Sequence, residues 1–160
     1  MERIQKIFEH PLYRENFCKL QEAEKDRKYC RHDLSHFMDV ARISYIYSLE
    51  EGEDVDKVLI YAAALLHDIG RARQLEEGIP HEAAGAELAE GILEAVGFNE
   101  EHVSRITEAI ALHRNADENF PSKLAEYIYR ADKASRKCYC CKATEDCKWE
   151  HDRRNREIYI

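Results

Sequence analysis

An all-α fold is what this chain predicts, on three observations. Apolar residues recur at three- and four-residue spacing along most of its length, no segment alternates with period two for long, and helix caps and breakers separate the apolar runs. The expectation is a helical bundle without a sheet. A length of 160 residues suits one domain with a sizeable core and is short for two ordinary ones. One domain is therefore expected over 1–160, its core at about 30–136 and a Cys-rich tail at 137–160 packed on that core.

Each element has its own signal. Ile4, Ile7 and Phe8 share a face, and Leu12, Phe17 and Leu20 continue it after Pro11, which gives two short helices in the first thirty residues. Asp33 can cap the next helix, whose apolar positions Phe37, Val40, Ala41, Ile43, Ser44 and Tyr47 run towards Gly52. From Asp54 a further helix is expected over Val55 to His67, and its centre Tyr61-Ala62-Ala63-Ala64-Leu65-Leu66 is apolar all round, the mark of a buried helix. Pro80 begins a helix that runs to Gly97, Asn99 caps one that runs to about His113, and Pro121 opens a last one with Leu124, Ile128 and Ala131 on one face. Between them, Arg71 to Pro80 and Asn115 to Pro121 read as loops. There are no internal repeats and no linker-like stretches, and composition shifts only after Arg136.

Charge and composition narrow the partners. The excess of 32 acidic over 24 basic residues, a formal charge of −8, argues against a nucleic-acid duplex as the main partner. No apolar stretch approaches the roughly 20 residues of a membrane span, and the first residues lack a signal peptide's apolar run, so a cytoplasmic protein without a membrane partner is expected. In that reducing setting six cysteines read as thiols or metal ligands rather than disulfides. The evenly charged surface offers no long apolar seam, and the oligomeric state stays open.

An ordered series of metal-ligand residue types runs through the chain: His36, His67-Asp68, His81, His113 and Asp132. His67 and Asp68 fall where the buried helix stops, with Gly70 able to take a left-handed cap. Alone, the pair reads equally as a His satisfied by a carbonyl and an Asp capping the next turn. Its neighbours change that. Leu65-Leu66-His67-Asp68-Ile69-Gly70-Arg71 resembles the central motif of the HD-domain metallohydrolase superfamily, in which a His-Asp pair ends a buried helix. His36, in His36-Phe37-Met38-Asp39-Val40-Ala41-Arg42, matches that family's first His, and Asp132, in Tyr129-Arg130-Ala131-Asp132-Lys133, matches its closing Asp. The resemblance implies an HD-type bundle.

His81, directly after Pro80, and His113 each read alone as helix-end or surface histidines. Together they stand where two-metal HD proteins place an additional pair. The resemblance then implies one ion on His36, His67, Asp68 and Asp132, and a second on His81, His113 and a bridging Asp68. Imidazole and carboxylate suit Fe, Mn, Zn or Ni, and the resemblance implies iron or manganese. Two ions about 3.5–4 Å apart can generate a hydroxide at neutral pH and clamp the oxygens of a phosphoryl displacement. The implied activity is a phosphohydrolase acting on a small phosphate ester or anhydride, nucleotide-like, with Asp68 and Arg71 as catalytic residues. Arg71, Arg114 and Lys133 each lie within three residues of a proposed ligand and are candidates for the phosphate, although any one of them alone reads as a solvated charge. His32 stands four residues before His36, just outside a helix capped by Asp33, and is assigned to the second shell or the substrate side. Two other classes stay open: a mixed-valence di-iron oxygenase of the same superfamily, which would share these ligands, and a non-catalytic regulatory HD module, which would be expected to lack some of them.

The cysteines form a second cluster. Cys138, Cys141 and Cys147 give Cys-x₂-Cys-x₅-Cys, a spacing at which three thiolates can converge on Zn²⁺. Cys30 precedes His36 by six residues and Cys138 follows Asp132 by six. Were both stretches helical, each Cys would lie about 9 Å from the metal plane, so Cys30 is the expected fourth ligand, and Cys18 and Cys140 would stay free. The other reading is a set of reduced thiols, with Trp149 packing the tail down. This tail is similar to that of a group of small bacterial HD proteins. His10, His102 and His151 have no motif around them.

Overall fold

In a computed structural model, described for residues 1–115, 117 and 119–158, the regular elements are all helical. Eight α-helices follow one another among the described residues: α1 (Glu2–Glu9), α2 (Pro11–Ala23), α3 (Leu34–Glu50), α4 (Lys57–Leu66), α5 (Arg71–Glu77), α6 (His81–Ala95), α7 (Glu100–Leu112) and α8 (Lys123–Ala134). Caps fix half of the starts. The side chains of Asp33, Asp56, Asn99 and Ser122 each accept the backbone N–H of the second or third residue of their helix, worth about 1 kcal/mol apiece.

Three expectations need correction. Asp56, not Asp54, caps α4, which begins at Lys57. Ser122, not Pro121, opens α8. The span taken as a loop from Arg71 contains α5, which ends on Gly78 in the left-handed conformation at φ 74°. Its charged sequence Arg-Ala-Arg-Gln-Leu-Glu-Glu has only Ala72 buried, too little apolar content for a periodicity argument to find.

Packing explains the order. Leu59, Ile60, Ala62, Ala63, Ala64, Leu65 and Leu66 of α4 are all buried, as an all-apolar helix requires. Around it pack α1, α3, α7 and α8, with α6 against α7 and α5 against α6. Because α4 is central, whatever follows its C-terminus is delivered into the interior. His67 and Asp68 follow it.

Gly70 has a different role from the one expected. Its φ of −73° is right-handed, so no left-handed cap is present. A Cβ there would stand 2.3 Å from the His81 carbonyl oxygen and 2.4 Å from the Gly85 backbone nitrogen. The missing side chain lets the start of α6 lie directly on the turn that carries His67 and Asp68.

Candidate metal centre

Five elements deliver ligand-type side chains to one place. His36 lies in the first turn of α3, His67 and Asp68 at the end of α4, His81 at the start of α6, His113 at the end of α7 and Asp132 in the last turn of α8. His67, Asp68, His81 and His113 are at most 1% exposed. Ligand atoms of His36, His67, Asp68 and Asp132 lie within 4.8 Å of one another, and so do those of Asp68, His81 and His113. The two groups share Asp68. Its Oδ2 is 3.6 Å from His36 Nε2 and 3.3 Å from His67 Nε2, while its Oδ1 is 3.2 Å from His81 Nε2 and 3.6 Å from His113 Nε2. Asp132 Oδ1 stands 3.5 Å from His36 Nε2 and 3.9 Å from His67 Nε2.

The opposite ring nitrogens are tied outward. His67 Nδ1 is 2.7 Å from the Ala64 carbonyl and His113 Nδ1 is 2.6 Å from that of Ile110. A carbonyl only accepts, so both Nδ1 atoms carry a proton and both Nε2 atoms face the centre. Ser135 Oγ donates to the Asp132 carbonyl and so accepts from His36 Nδ1 at 3.1 Å. Gln74 Oε1 takes His81 Nδ1 at 2.8 Å. Metal-binding imidazoles are oriented in just this way. The price is visible inside. His81 Nε2 and His113 Nε2 face each other at 3.1 Å, two lone pairs that repel unless a proton or a cation lies between them. His36 Nε2, His67 Nε2 and Asp68 Oδ2 are buried without a hydrogen-bond partner, a state that costs several kcal/mol for charged or polar groups. Nitrogen and oxygen donors so arranged fit divalent transition ions.

Electrostatics agree. Burial opposes ionisation of Asp68, yet His67 and Arg71 outweigh it and hold the carboxyl well below its ordinary range. Burial also opposes a charge on Asp132, and Lys133 and His67 overcome it in the same sense. His67 is held above the usual imidazole range because Asp68 and Asp132 together exceed the burial penalty. Burial pushes His81 down, keeping it neutral.

The remaining candidates divide. Arg71 Nε stands 2.7 Å from Asp68 Oδ1 and its side chain keeps 22% exposure, beside the centre and open to solvent. Lys133 Nζ donates to the His113 carbonyl at 2.9 Å and to Asp132 Oδ2 at 2.7 Å, so it fixes the last turns of α7 and α8 against each other. Arg114 is exposed next to His113. His32 is buried, with Nε2 3.7 Å from Asp68 Oδ2, but belongs to neither ligand group.

Sequence reasoning missed Glu24. It ends the buried stripe Tyr13-Asn16-Leu20 of α2 and is 6% exposed. Its carboxylate accepts from the His32 backbone N–H at 2.8 Å, from His32 Nδ1 at 2.7 Å and from Arg27 at 2.9 Å. Burial pushes His32 down and Glu24 stays ionised despite its own burial, so a neutral imidazole donates to a carboxylate. A carboxylate four residues beyond Leu20 on an apolar face was the available signal. Gln74 was missed with α5.

A helical bundle with two buried His/Asp ligand groups sharing one aspartate defines a class of metal-binding all-α protein. The chain belongs to the HD domain family, whose model matches residues 33–137. HD domains bind divalent metals, and these two groups are where this one could hold them. An uncharacterized protein of Clostridium beijerinckii is 45% identical over 137 residues, 85% of either chain. Ribonuclease Y of Mycoplasma mycoides is 34% identical over 107 residues, 67% of this chain but only 23% of that enzyme. A solved structure from an uncultured Thermotogales bacterium, described as a predicted HD superfamily hydrolase, is similar with a TM-score of 0.63 at 28% identity, over 88% of this chain and 80% of that one. Among the described residues no helix is long and apolar enough to cross a membrane.

Proposed function

We propose that the protein is a metal-dependent phosphohydrolase acting on a small phosphate ester or anhydride, nucleotide-like, at a dinuclear centre. The observation that carries the reading is Asp68: one buried carboxylate with an oxygen facing each of two ligand groups, Oδ2 without a hydrogen-bond partner and Oδ1 paired with Arg71 alone outside those groups. His36, His67, Asp68 and Asp132 would hold one ion and Asp68, His81 and His113 the other, iron or manganese. Bound there, two ions would supply a nucleophile at neutral pH and a clamp for phosphoryl oxygens.

The chain's own residues do the rest. Arg71, anchored on Asp68 through Nε and partly open, would offer its remaining guanidinium N–H groups to the phosphoryl oxygens. His32, neutral and oriented by Glu24, offers Nε2 as the acceptor for the proton of an attacking water. Lys133 spends two of its three donors on protein acceptors, leaving one for the substrate, and Arg114 lies at the exposed rim. Burial of His67, Asp68, His81 and His113 excludes bulk water from the ligands. The likeness to ribonuclease Y supports a phosphate-ester substrate and makes a single-stranded oligoribonucleotide one member of the test panel.

Metal analysis of the purified protein, followed by assays with nucleotides, cyclic dinucleotides, simple phosphomonoesters and an oligoribonucleotide under added Mn²⁺ or Fe²⁺, tests this reading. Two iron or manganese ions per chain and metal-dependent phosphate or phosphomonoester release are expected. Oxygen uptake with a polyol or phosphonate, and no hydrolysis across the panel, would replace the hydrolase by the oxygenase of the same superfamily.

A further inference from the structure

We propose that Cys30, Cys138, Cys141 and Cys147 form a structural zinc site that clamps the C-terminal segment onto the loop preceding α3. The site is separate from the His/Asp centre and does not depend on the reaction that centre performs.

Exposure sorts the six cysteines into two sets. Cys30, Cys138, Cys141 and Cys147 are half-buried, whereas Cys18 and Cys140 are exposed. The inward set is the one whose spacing suits zinc. A 3₁₀ turn over Cys138–Cys140 puts Cys138 and Cys141 at its two ends, and the Cys141 backbone N–H donates to the Cys138 carbonyl at 3.2 Å. The Ala143 N–H donates to Cys141 Sγ at 3.4 Å, an interaction that favours the thiolate over the thiol. Burial pushes the Cys30 thiol up, and Cys138 and Cys141 push it the same way from across the two segments while Arg136 opposes them. Neither stretch is helical throughout, since α3 begins at Leu34 and α8 ends at Ala134.

Charge complementarity points to the ligand. Four thiolates around Zn²⁺ carry a net charge of about −2. Arg136, which acts electrostatically on Cys30, has a buried Nη1 without a hydrogen-bond partner and stacks its guanidinium on Trp149 at 4.3 Å. A cation is thus already in place beside the thiols.

The segment also has almost no apolar packing to hold it together. From 137 to 158, Ala143 is the single buried apolar residue among those described. What ties it down is polar. Arg154 donates to the carbonyls of Thr144, Cys147 and Trp149, closing the Cys141–Cys147 turn. Lys28 pairs with Asp146, and Tyr29 donates to the Asp146 carbonyl, bringing that turn against the residue next to Cys30. Such a coreless piece gains its stability from a metal. No three sulfurs yet stand within 4.8 Å of one another among the described residues. Tetrahedral Zn–S bonds of about 2.3 Å would set neighbouring sulfurs about 3.8 Å apart, so the ion would draw the turn inward as the thiols release their protons.

Cobalt substitution of the full-length protein tests this, because thiolate ligands give an intense near-ultraviolet charge-transfer band that His/Asp ligands do not. The expected result is one thiolate-bound cobalt per chain, displaced by one equivalent of zinc, with the band abolished in Cys141→Ser and Cys30→Ser and unchanged in Cys18→Ser and Cys140→Ser. Absence of the band in the wild-type protein would overturn the proposal without any variant being made. So would a band that survives Cys141→Ser, or one lost equally in Cys140→Ser. Two disulfides found among the four half-buried cysteines of protein purified under argon would also overturn it.

Discussion

The His/Asp centre and the Cys-rich segment are both collections of ligand-type residues, but only one is assembled in advance. At the centre, side chains from the ends of α3, α4, α6, α7 and α8 form two groups that share Asp68, the ligand atoms of each within 4.8 Å of one another, and carbonyls, Gln74 and Ser135 fix the far ring nitrogens. In the tail the cysteines are half-buried but no three of their sulfurs lie within 4.8 Å of one another among the described residues, and one alanine is all the buried apolar surface available there. A packed bundle can impose like-charge and lone-pair crowding on its ligands, since its core stabilises the fold independently. A short coreless segment cannot. On the proposed zinc site, the ion would complete it.

The hardest blow to the first region is Asp68→Ala. Removing the one carboxylate common to both groups should release both ions and lower turnover on the order of 10³-fold or more. Elemental analysis and steady-state assays of the same sample check this, and the thiolate-cobalt band of the tail should persist. A variant that kept full metal and full turnover would end the dinuclear reading.

The same contrast explains how much could be seen in sequence. Asp33 and Asn99 were legible as caps and α4 as a buried helix, because capping and all-round apolar character are local properties. The order His36, His67-Asp68, His81, His113, Asp132 was legible because the bundle delivers ligands from helix ends, which breakers and caps such as Pro80 and Asp33 mark. What escaped were partners meeting only in space. Gln74 reaches His81 from a helix too polar to show a period, and Glu24 reaches His32 across eight residues of irregular chain. Gly70 looked like a turn residue and is a packing one. Lys133 looked like a substrate cation and is first an anchor for the His113 carbonyl.

Gly70→Ala is the next largest test, aimed at how rigidly the bundle holds the shared ligand. The added Cβ would meet backbone atoms of His81 and Gly85 at 2.3–2.4 Å, and backbone cannot rotate away as a side chain can. Helix α6 must shift, at a cost of about 1–3 kcal/mol, carrying His81 with it. Denaturant unfolding should show the loss, and metal analysis should show the ion of the Asp68, His81, His113 group depleted before the other. Gly85→Ala is the comparison. Its Cβ would lie 3.3 Å from the Ile110 Cγ2 methyl, a side chain that can give, and its effect should be smaller.

The smallest and most discriminating effect is the pH dependence of metal binding in the two regions. At the centre an ion must displace the proton that Asp68 and Asp132 hold on His67 above the ordinary imidazole range. Affinity should therefore rise with pH through and beyond about pH 6.5 and level off above the raised value, by about tenfold per pH unit for that one proton. His81, pushed down by burial, is already neutral there and adds nothing. In the tail, thiols must ionise, and Cys30 is pushed up by burial and by its cysteine neighbours. The sign is the same but the slope is steeper, as much as about 10⁴-fold per pH unit if four protons leave together. Competitive chelator titrations on either side of neutrality, with the thiolate band reporting the tail and total metal reporting the sum, separate the two. Acidification should empty the cysteines while the His/Asp centre still holds its ions; loss of both in parallel would mean that the tail has no thiolate site of its own.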